Sequence, residues 1–401
     1  MAAIAPIAED LNMVRSLRLV EDGCPMLVVG GLWGRCDRSS SRCPPQSRST
    51  CAVHCAVTAT VGAYRQKPVK SSEEPRLAVS SQSLDLRSAF AAALIRKARA
   101  GHAFTLISVD SKTSSQVEQI EAEYPAYFLD LGVMEQCAAG VAAGLASCGH
   151  KVFIVGIASF VTMRAYEQIR TVLSHENYDV KIVGLWSGLY YTFQGHTHVP
   201  HEDISIMRSL DNVSIYCPSS ELDMRNVVDR LFAERGFAYL RVENPFLPAR
   251  MREHGGESLE LGRLQILRRG HRVAILSMGR CLLGAIDAAE LLNDKGISCS
   301  LLNAIRLWPF DETSFLAVLK ETDVLVTVEE HGKVGGLASI VSELLVRHHL
   351  DHVRHLPLSG SSKYQNNLSY EDALDSFGLT GVKISTAVMQ LLDGRDDTQA
   401  D

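Results

Sequence analysis

Glu135 is the residue of this sequence whose surroundings most suggest chemistry. It follows Gly132, Val133 and Met134, and the Ala- and Gly-rich stretch 137–146 after it contains no other acid. Burial in such apolar company destabilises an ionised carboxyl group, which is how proteins obtain groups that donate protons near neutral pH. An acid at a helix start also has a purely structural use, because it interacts favourably with the helix dipole. Taken alone, the position of Glu135 favours the structural interpretation.

Two later segments supply groups that could act together with this acid. Phe160 stands shortly before the sequence Arg-Ala-Tyr-Glu-Gln-Ile-Arg of residues 164–170, and residues 195–198 read Gly-His-Thr-His. Each segment follows an apolar stretch that is typical of a buried strand, at 152–155 and 180–185. Since α/β folds bind ligands at the carboxyl ends of their strands, an aromatic ring and polar groups are expected there.

The elements that must position these groups alternate regularly from Leu84 onward. Leu86, Phe90 and Leu94 share one face of a helix that Gly101 can end. Apolar stretches predict strands at 104–109, 152–155, 180–185, 213–216 and 238–242, and then at 273–277, 300–304, 324–328 and 355–358. This alternation predicts an α/β fold with two domains, each built on a mainly parallel sheet flanked by helices.

The predicted boundaries follow from composition. Residues 1–78 form a low-complexity extension that we expect to be disordered, because residues 23–72 carry one acid against seven basic residues and little apolar periodicity. The first domain is placed at 79–245, a Pro-, Arg- and Gly-containing linker at 246–262, the second domain at 263–396 and a tail at 397–401. A transit peptide and a metal site from Cys51, His54 and Cys55 are alternatives for the extension.

Composition excludes some classes of function. The net charge is −6 and the isoelectric point is near 6.2, so the basic excess of nucleic-acid and membrane-surface binders is missing. No apolar run approaches the ~18 to 20 residues of a membrane-spanning helix, so a soluble protein is expected. Five cysteines in apolar segments indicate buried free thiols and a cytoplasmic location. They are Cys137, Cys148, Cys217, Cys281 and Cys299.

The motifs resemble the transketolase family in order and separation over residues 80–395. In that family a Glu-Gln element is followed by a Phe before an Arg-Ala-aromatic helix, and then by a Thr-His loop. The later motifs at 308–311 (Trp-Pro-Phe-Asp) and 328–331 (Val-Glu-Glu-His) resemble the family's C-terminal domain. The resemblance implies a pyrimidine-binding thiamine-diphosphate domain followed by a smaller α/β transketolase C-terminal domain.

The resemblance also implies a cofactor site. Glu135 matches the glutamate that hydrogen-bonds the aminopyrimidine ring of thiamine diphosphate and favours its imino tautomer. Phe160 matches the aromatic residue that packs on the pyrimidine. Asp110 lies where the family keeps an acid near the cofactor, although an Asp after a strand also suits a turn.

A substrate site is implied in the same way. His198 matches the histidine that contacts the donor sugar near its reacting carbonyl, so Glu135 and His198 are the expected catalytic residues. Arg87 and Ser114 align with positions that bind the substrate phosphate, although Arg87 could equally be a solvated helix charge. Gln194 stands where the family places a substrate-binding acid.

The sequence departs from the family pattern at further positions. A histidine expected twelve residues before His198 is Trp186, a basic residue expected after Arg241 is Asn244, and one aromatic residue before the Arg-Ala helix is Ile157. Losing a charge-assisted phosphate contact removes ~1.5 to 3 kcal/mol, or about one to two orders of magnitude in affinity. These changes suggest that the substrate is not the standard pentose phosphate.

One family motif does not occur in the chain. The Gly-Asp-Gly sequence that holds the diphosphate through Mg²⁺ is absent. The resemblance therefore implies a partner, an N-terminal transketolase subunit that carries this motif, in a dimer of heterodimers. Ketol transfer from a ketose to an aldose is the expected reaction. Alternatives are a deoxyxylulose-phosphate-synthase-like subunit, a 2-oxo acid dehydrogenase beta-type subunit and a non-catalytic stabilising subunit.

Overall fold

The computed structural model describes residues 18–19, 25–26, 84–244, 246–247, 262–360 and 368–394. The chain divides into the units Met1–Arg76 and Leu77–Asp401. In the first unit, strands β1 (Arg18–Leu19) and β2 (Pro25–Met26) pair antiparallel. The rest of the predicted extension, most of the predicted linker and the predicted tail lie outside the described residues.

The second unit contains two large sheets flanked by helices and a two-stranded antiparallel sheet, in which Phe246–Leu247 pairs with Leu84–Asp85. Its strands are β3 (Leu84–Asp85), β4 (Thr105–Ser108), β5 (Phe128–Asp130), β6 (Val152–Ile157), β7 (Val180–Leu185), β8 (Ser214–Tyr216), β9 (Ala238–Val242), β10 (Phe246–Leu247), β11 (Gln265–Arg268), β12 (Arg272–Ser277), β13 (Cys299–Asn303), β14 (Arg306–Trp308), β15 (Thr322–Glu329) and β16 (Arg354–Ser359). The larger sheet has the order β14-β8-β9-β7-β6-β4-β5, and the smaller has the order β11-β13-β12-β15-β16. Each is parallel except for one edge strand, β14 or β11.

Helices flank both sheets. The α-helices are Leu86–Arg99, Glu118–Glu123, Glu135–Ser147, Tyr166–Gln168, Asp203–Arg208, Glu221–Ala233, Leu282–Asp294, Glu312–Leu319, Leu337–Arg347, Tyr370–Ser376 and Gly381–Leu392. Strands β6, β7, β9, β12, β13 and β15 are buried along most of their length, because helices cover both faces of a parallel sheet. This is why these strands are continuous apolar stretches in the sequence.

Two helical segments have π-type hydrogen bonding. Phe160–Arg164 and Ile169–Ser174 are π-helical and flank the short α-helix Tyr166–Gln168. π-Helical turns are rare and often accompany functional sites, because the extra residue redirects side chains. Phe160 and Arg164 are the first and last residues of such a turn.

One strand crosses the predicted domain boundary. β14 lies in the second domain by sequence, yet it pairs antiparallel with β8 at the edge of the first domain's sheet. The motif at 308–311 therefore begins on a strand that the two domains share. The sequence did not predict this strand, because it has only three residues and two of them are partly exposed.

Candidate active site

The predicted site residues gather where the parallel strands of the larger sheet end. Asp110 and Ser114 follow β4, Glu135 begins the helix after β5, Phe160 follows β6, and Gln194 and His198 lie in the segment after β7. Because β5, β4, β6 and β7 are neighbours and run in the same direction, their carboxyl ends form one edge. This is the edge at which open α/β sheets bind ligands.

Glu135, Phe160 and Arg164 form one contact group. The Glu135 carboxylate is 7% exposed and accepts a hydrogen bond of 2.9 Å from the Arg164 guanidinium. The same guanidinium carbon lies 3.8 Å from the centre of the Phe160 ring, within the range of a cation–π interaction. Glu135 is thus not the isolated carboxyl group that its apolar neighbours suggested. Arg164 was part of the recognised motif, but sequence reasoning assigned it no role.

His198 joins this group from the neighbouring segment. Its ring centre lies 5.0 Å from that of Phe160 in an edge-to-face arrangement, and Thr197 Oγ1 is 3.0 Å from His198 Nδ1. Burial lowers the pKa of His198, and the positive charge of Arg164 lowers it further. The imidazole is therefore neutral at pH 7, with one nitrogen able to accept a proton and one able to donate.

Asp110 is held in an unusual backbone conformation at the end of β4. Its φ of +58° lies in the left-handed region, which Asp tolerates better than most residues. The Asp110 N–H donates to the Asp130 carboxylate at 3.2 Å, and the Gly132 N–H donates to the same oxygen at 2.9 Å. Asp130 thereby connects the ends of β4 and β5, and the Asp110 side chain stays exposed.

Arg87 and Ser114 are brought together, but Arg87 is not a solvated helix charge. Arg87 is buried and forms hydrogen bonds with both oxygens of Asp85. It also donates to the Ser114 carbonyl oxygen at 2.8 Å, and its guanidinium carbon lies 4.3 Å from the centre of the Trp186 ring. Asp85 also caps the helix Leu86–Arg99 by accepting from the Arg87 N–H. The guanidinium is held by partners of this chain.

A run of aromatic rings occupies the segment that leads to His198. Trp186 stacks on Tyr190 and Tyr191 with ring centres 4.9 and 5.0 Å apart, and Tyr191 lies 5.8 Å from His198. Trp186 has a φ of +59°, a costly conformation for a bulky residue. Gln194 ends the 3₁₀ turn Tyr190–Gln194 and is exposed. Trp186 stands where the family resemblance leads one to expect a histidine.

Behind this segment lies a buried cluster of charged residues. Arg241 donates to Asp203 at 2.8 Å and to Glu243, and the Tyr239 hydroxyl donates to Asp203 at 2.7 Å. Burial raises the pKa of Glu243 to about 8 even though Arg241 opposes the change. The sequence did not predict this cluster, because residue types alone do not show that Asp203 contacts Tyr239 and Arg241 much later in the chain.

The Glu-Glu-His motif begins at the last residue of β15 and connects the cluster to residues 186–201, which carry His198 and are called the His198 segment below. Glu330 is fully buried and accepts hydrogen bonds from the Leu189 N–H at 2.9 Å and from the Tyr370 hydroxyl. On the other side of His198, the Gly332 N–H donates to the His201 carbonyl oxygen at 3.0 Å. Burial lowers the pKa of His331 to about 4. Residues 330–332 therefore hold the His198 segment on both sides.

The Gly335-Gly336 pair precedes the helix Leu337–Arg347 and could have offered backbone N–H groups to an anion. The Glu329 carboxylate already accepts from the N–H groups of Leu337 and Ala338 at 2.7 and 2.8 Å. Gly336 packs so closely on Glu329 and His331 that a Cβ would overlap them. The pair is a packing turn whose helix end is filled by the protein's own carboxylate.

Three of the five cysteines among the described residues are buried. Cys217, Cys281 and Cys299 are buried free thiols, as expected, whereas Cys137 is exposed and Cys148 is partly exposed.

Within the described ranges, no helix is both long enough and apolar enough to cross a membrane. In the same part of the chain, no three His, Cys, Asp or Glu side chains are grouped so as to hold a metal ion.

Known proteins match both domains. Residues 82–248 match the family described as transketolase, pyrimidine binding domain, and residues 262–384 match transketolase, C-terminal domain. An apulose-4-phosphate transketolase subunit of Actinobacillus succinogenes is 31% identical over 244 residues, covering 60% of this chain and 77% of that protein. The 6-deoxy-6-sulfo-D-fructose transketolase subunit SqwH of a Clostridium species is 31% identical over 260 residues, covering 65% of this chain and 80% of that protein.

A solved structure described as a split gene transketolase, inactive beta4 tetramer, superimposes with a TM-score of 0.70. Its sequence is 27% identical, and the match covers 77% of this chain and 99% of that one. The expected fold class is confirmed by the two family matches and by the two parallel-dominated sheets. Because these matches span more than half of its length, the chain belongs to the transketolase family.

Proposed function

We propose that this chain is the C-terminal subunit of a thiamine-diphosphate-dependent transketolase, which moves a two-carbon ketol unit from a ketose to an aldose. The observation that carries the proposal is the contact group of Glu135, Phe160, Arg164 and His198 at the strand ends of the pyrimidine-binding domain. Relatives named as subunits of an apulose-4-phosphate transketolase and of a 6-deoxy-6-sulfo-D-fructose transketolase match this chain over most of their length.

The residues of this group fit an aminopyrimidine ring. A buried carboxylate at a helix start can accept from a ring N–H, and the Phe160 face can support a flat heterocycle. In the described structure, however, Arg164 covers Phe160 and pairs with Glu135. Arg164 is 48% exposed along its side chain, so it can turn towards solvent when a ring takes its place. When bound, thiamine diphosphate would supply the carbon nucleophile of the reaction.

The chain's own residues would then hold and move protons. Glu135 would hold a proton shared with the pyrimidine ring. His198, which is neutral at pH 7, can donate to or accept from a sugar hydroxyl or carbonyl oxygen at the donor site. Asp110 and Phe160 would orient the cofactor, while Gln194 and Ser114 would contact the substrate. Arg87 would contact it only after releasing the Asp85 carboxylate.

The diphosphate end and Mg²⁺ would be held by the partner. The Gly-Asp-Gly sequence does not occur in this chain, and we propose that an N-terminal subunit supplies it within a dimer of heterodimers. Beside Glu135, Val133 and Met134 are exposed, and the helix that follows presents Gly140 and Gly144 with open space above them. This small apolar surface suits a partner that approaches the cofactor closely. The buried thiols support a cytoplasmic location.

The donor is not the ordinary pentose phosphate. Arg87 is already bound to Asp85 and stacked on Trp186, and Asn244 stands where a second basic residue is expected. A phosphate would have to replace the Asp85 carboxylate to use Arg87. Comparing the complex's kcat/KM for xylulose and xylulose 5-phosphate tests this, and a clear preference for the phosphorylated sugar would refute it.

The central experiment is co-expression with a neighbouring reading frame that encodes a Gly-Asp-Gly domain, followed by a ketol-transfer assay. Glu135→Gln should lower kcat/KM by about 10²- to 10⁴-fold, the usual contribution of a proton-transfer group. Glu176→Gln, which changes an exposed Glu, is the matched control. An undiminished rate in Glu135→Gln would remove this residue from the mechanism. Complete inactivity of the wild-type complex would favour a non-catalytic stabilising subunit.

A further inference from the structure

The side chain of Arg164 lies where three of the predicted site residues meet. Its guanidinium donates to the Glu135 carboxylate at 2.9 Å, and the central carbon of the guanidinium lies 3.8 Å from the centre of the Phe160 ring. The Phe160 ring lies 5.0 Å from that of His198. Arg164 thus touches both residues that would hold the pyrimidine ring, and it lies close to the residue that would meet the substrate.

An Arg guanidinium and an aminopyrimidine ring share two properties. Both are flat groups that can lie on the face of an aromatic ring, and both carry N–H groups that donate to a carboxylate. Glu135 is only 7% exposed, so water offers its carboxylate little hydrogen bonding. A ring that takes the hydrogen bond of Glu135 and the face of Phe160 therefore competes with Arg164.

The Arg164 side chain can leave this position while its backbone stays in place. The side chain is 48% exposed, so its guanidinium already borders on water. The backbone belongs to the π-helical turn Phe160–Arg164, which is fixed by packing because Val161 and Thr162 are buried. The Thr162 hydroxyl also donates to the Ala158 carbonyl oxygen at 2.6 Å. Rotation about the side-chain bonds of Arg164 is therefore enough to uncover Glu135 and Phe160.

The positive charge of Arg164 also acts on His198. Burial is the larger cause of the lowered pKa of His198, and the charge of Arg164 lowers this pKa further. Tyr191 faces His198 with its ring at 5.8 Å, and burial raises the pKa of the Tyr191 hydroxyl, which stays neutral. Movement of the Arg164 guanidinium into water would therefore make His198 a better proton acceptor.

We propose that Arg164 is a gate residue of the pyrimidine site, which holds Glu135 and Phe160 until an aminopyrimidine ring displaces its side chain into solvent. The proposal rests on the function proposed above and adds a positioning residue to it. The displacement links the two ends of the site, because binding of the ring removes a positive charge from beside His198. His198 then accepts a proton more readily when the ring is in place.

The first test measures the binding of thiamine diphosphate, with Mg²⁺, to the co-expressed complex by calorimetry. Arg164→Ala should lower Kd about 3- to 30-fold, which corresponds to the free energy of one half-exposed ion pair and one cation–π contact that the ring no longer has to break. Arg170→Ala is the matched control. Arg170 forms an exposed ion pair with Glu167 three residues away, so its loss should leave Kd unchanged.

Two results of this titration would overturn the proposal. A higher Kd in Arg164→Ala would show that Arg164 helps to hold the cofactor, and an unchanged Kd would show that the ring and Arg164 do not compete. Because Arg164 is half exposed, the variant should fold, and its thermal unfolding confirms this before titration.

The second test follows the pKa of His198 by NMR in the full chain alone. The added probe is the aminopyrimidine fragment of thiamine, which lacks both the thiazolium and the diphosphate. The fragment should raise the pKa of His198 more in the wild-type chain than in Arg164→Ala, where the charge is already gone. The comparison cancels the effect of covering His198, which is the same in both chains. An equal change in both chains would overturn the proposal, as would a fragment that binds to neither.

The two tests also separate the gate from the proposed function. If the wild-type complex transfers ketol units and Arg164→Ala binds the cofactor no more tightly, the gate is wrong and the function stands. If Arg164→Ala binds the cofactor more tightly but the wild-type complex transfers no ketol unit, the gate stands and the function is wrong.

Discussion

Glu330 offers the sharpest test of how the second domain holds the His198 segment. Its carboxylate accepts from the Leu189 N–H at 2.9 Å and from the Tyr370 hydroxyl, and all of these groups are buried. Glu330→Ala leaves both donors without an acceptor. Each unmade buried hydrogen bond costs about 1–3 kcal/mol, which gives about 2–6 kcal/mol in total.

The lower part of that range is expected. Burial raises the pKa of Glu330, because burying the ionised carboxyl group is unfavourable and lowers the free energy of unfolding of the wild-type protein. Alanine removes this unfavourable contribution. Glu330→Gln is the matched control. Its amide oxygen can accept from Leu189 and its amide N–H can donate to the Tyr370 oxygen, so its stability should stay within about 1 kcal/mol of wild type.

Urea unfolding measures the stability difference, and hydrogen exchange of the Leu189 N–H locates it. We expect the alanine variant to unfold at lower urea and to exchange this amide faster, and the glutamine variant to resemble wild type. An alanine variant as stable as wild type would refute the reasoning. Equal damage by alanine and glutamine would show that charge, rather than hydrogen bonding, holds the segment.

Three further predictions follow from the same region. Gly188→Ala should lower the melting temperature, because Gly188 has a φ of +74° and a Cβ there would overlap the Glu330 carboxylate. Gly101→Ala is the control, since Gly101 has a φ of +84° but open space around it, so this variant shows the effect of φ alone. Equal losses of melting temperature in both variants would exclude the overlap. Arg164→Met should raise the pKa of His198 in an NMR titration, since the positive charge of Arg164 lowers that pKa. Arg170→Met, on the same segment, is the control and should leave the pKa of His198 unchanged. An unchanged pKa in the Arg164→Met variant would place Arg164 away from His198. The urea stability of the full chain should fall as pH rises through about 7 to 8. Burial raises the pKa of Glu329 to about 7 and of Glu243 to about 8, so the folded state binds protons that the unfolded state has already released. A rise in stability over this pH interval would contradict these pKa values.

The sequence predicted the long central strands and missed the short edge strands for one physical reason. β6, β7, β12 and β15 are buried on both faces, so burial forces a continuous apolar stretch. β5, β11 and β14 are short and partly exposed, and their pairing depends on neighbours distant in sequence. Composition along the chain does not encode such pairing.

The candidate site shows the same division. That Glu135, Phe160 and His198 lie at one edge of the sheet could be expected, because each follows a strand of that sheet, but their roles, which come from the family resemblance, stay predictions. The contacts of Arg87 could not be predicted, because they involve both Asp85, two residues away, and Trp186, much later in the chain. The roles of Asp110, Ser114 and Gln194 stay predictions. Arg164 and Glu330 lay inside recognised motifs, yet only their three-dimensional neighbours indicate what they do.

The shared strand β14 bears on how a gene of this kind can be divided in evolution. β14 belongs to the second domain by sequence but closes the edge of the first domain's sheet by pairing with β8. A chain cut between the two domains would leave β8 with unpaired backbone groups, an edge that recruits other strands and leads to aggregation. The pairing of β14 with β8 therefore favours gene divisions that leave both domains on one chain.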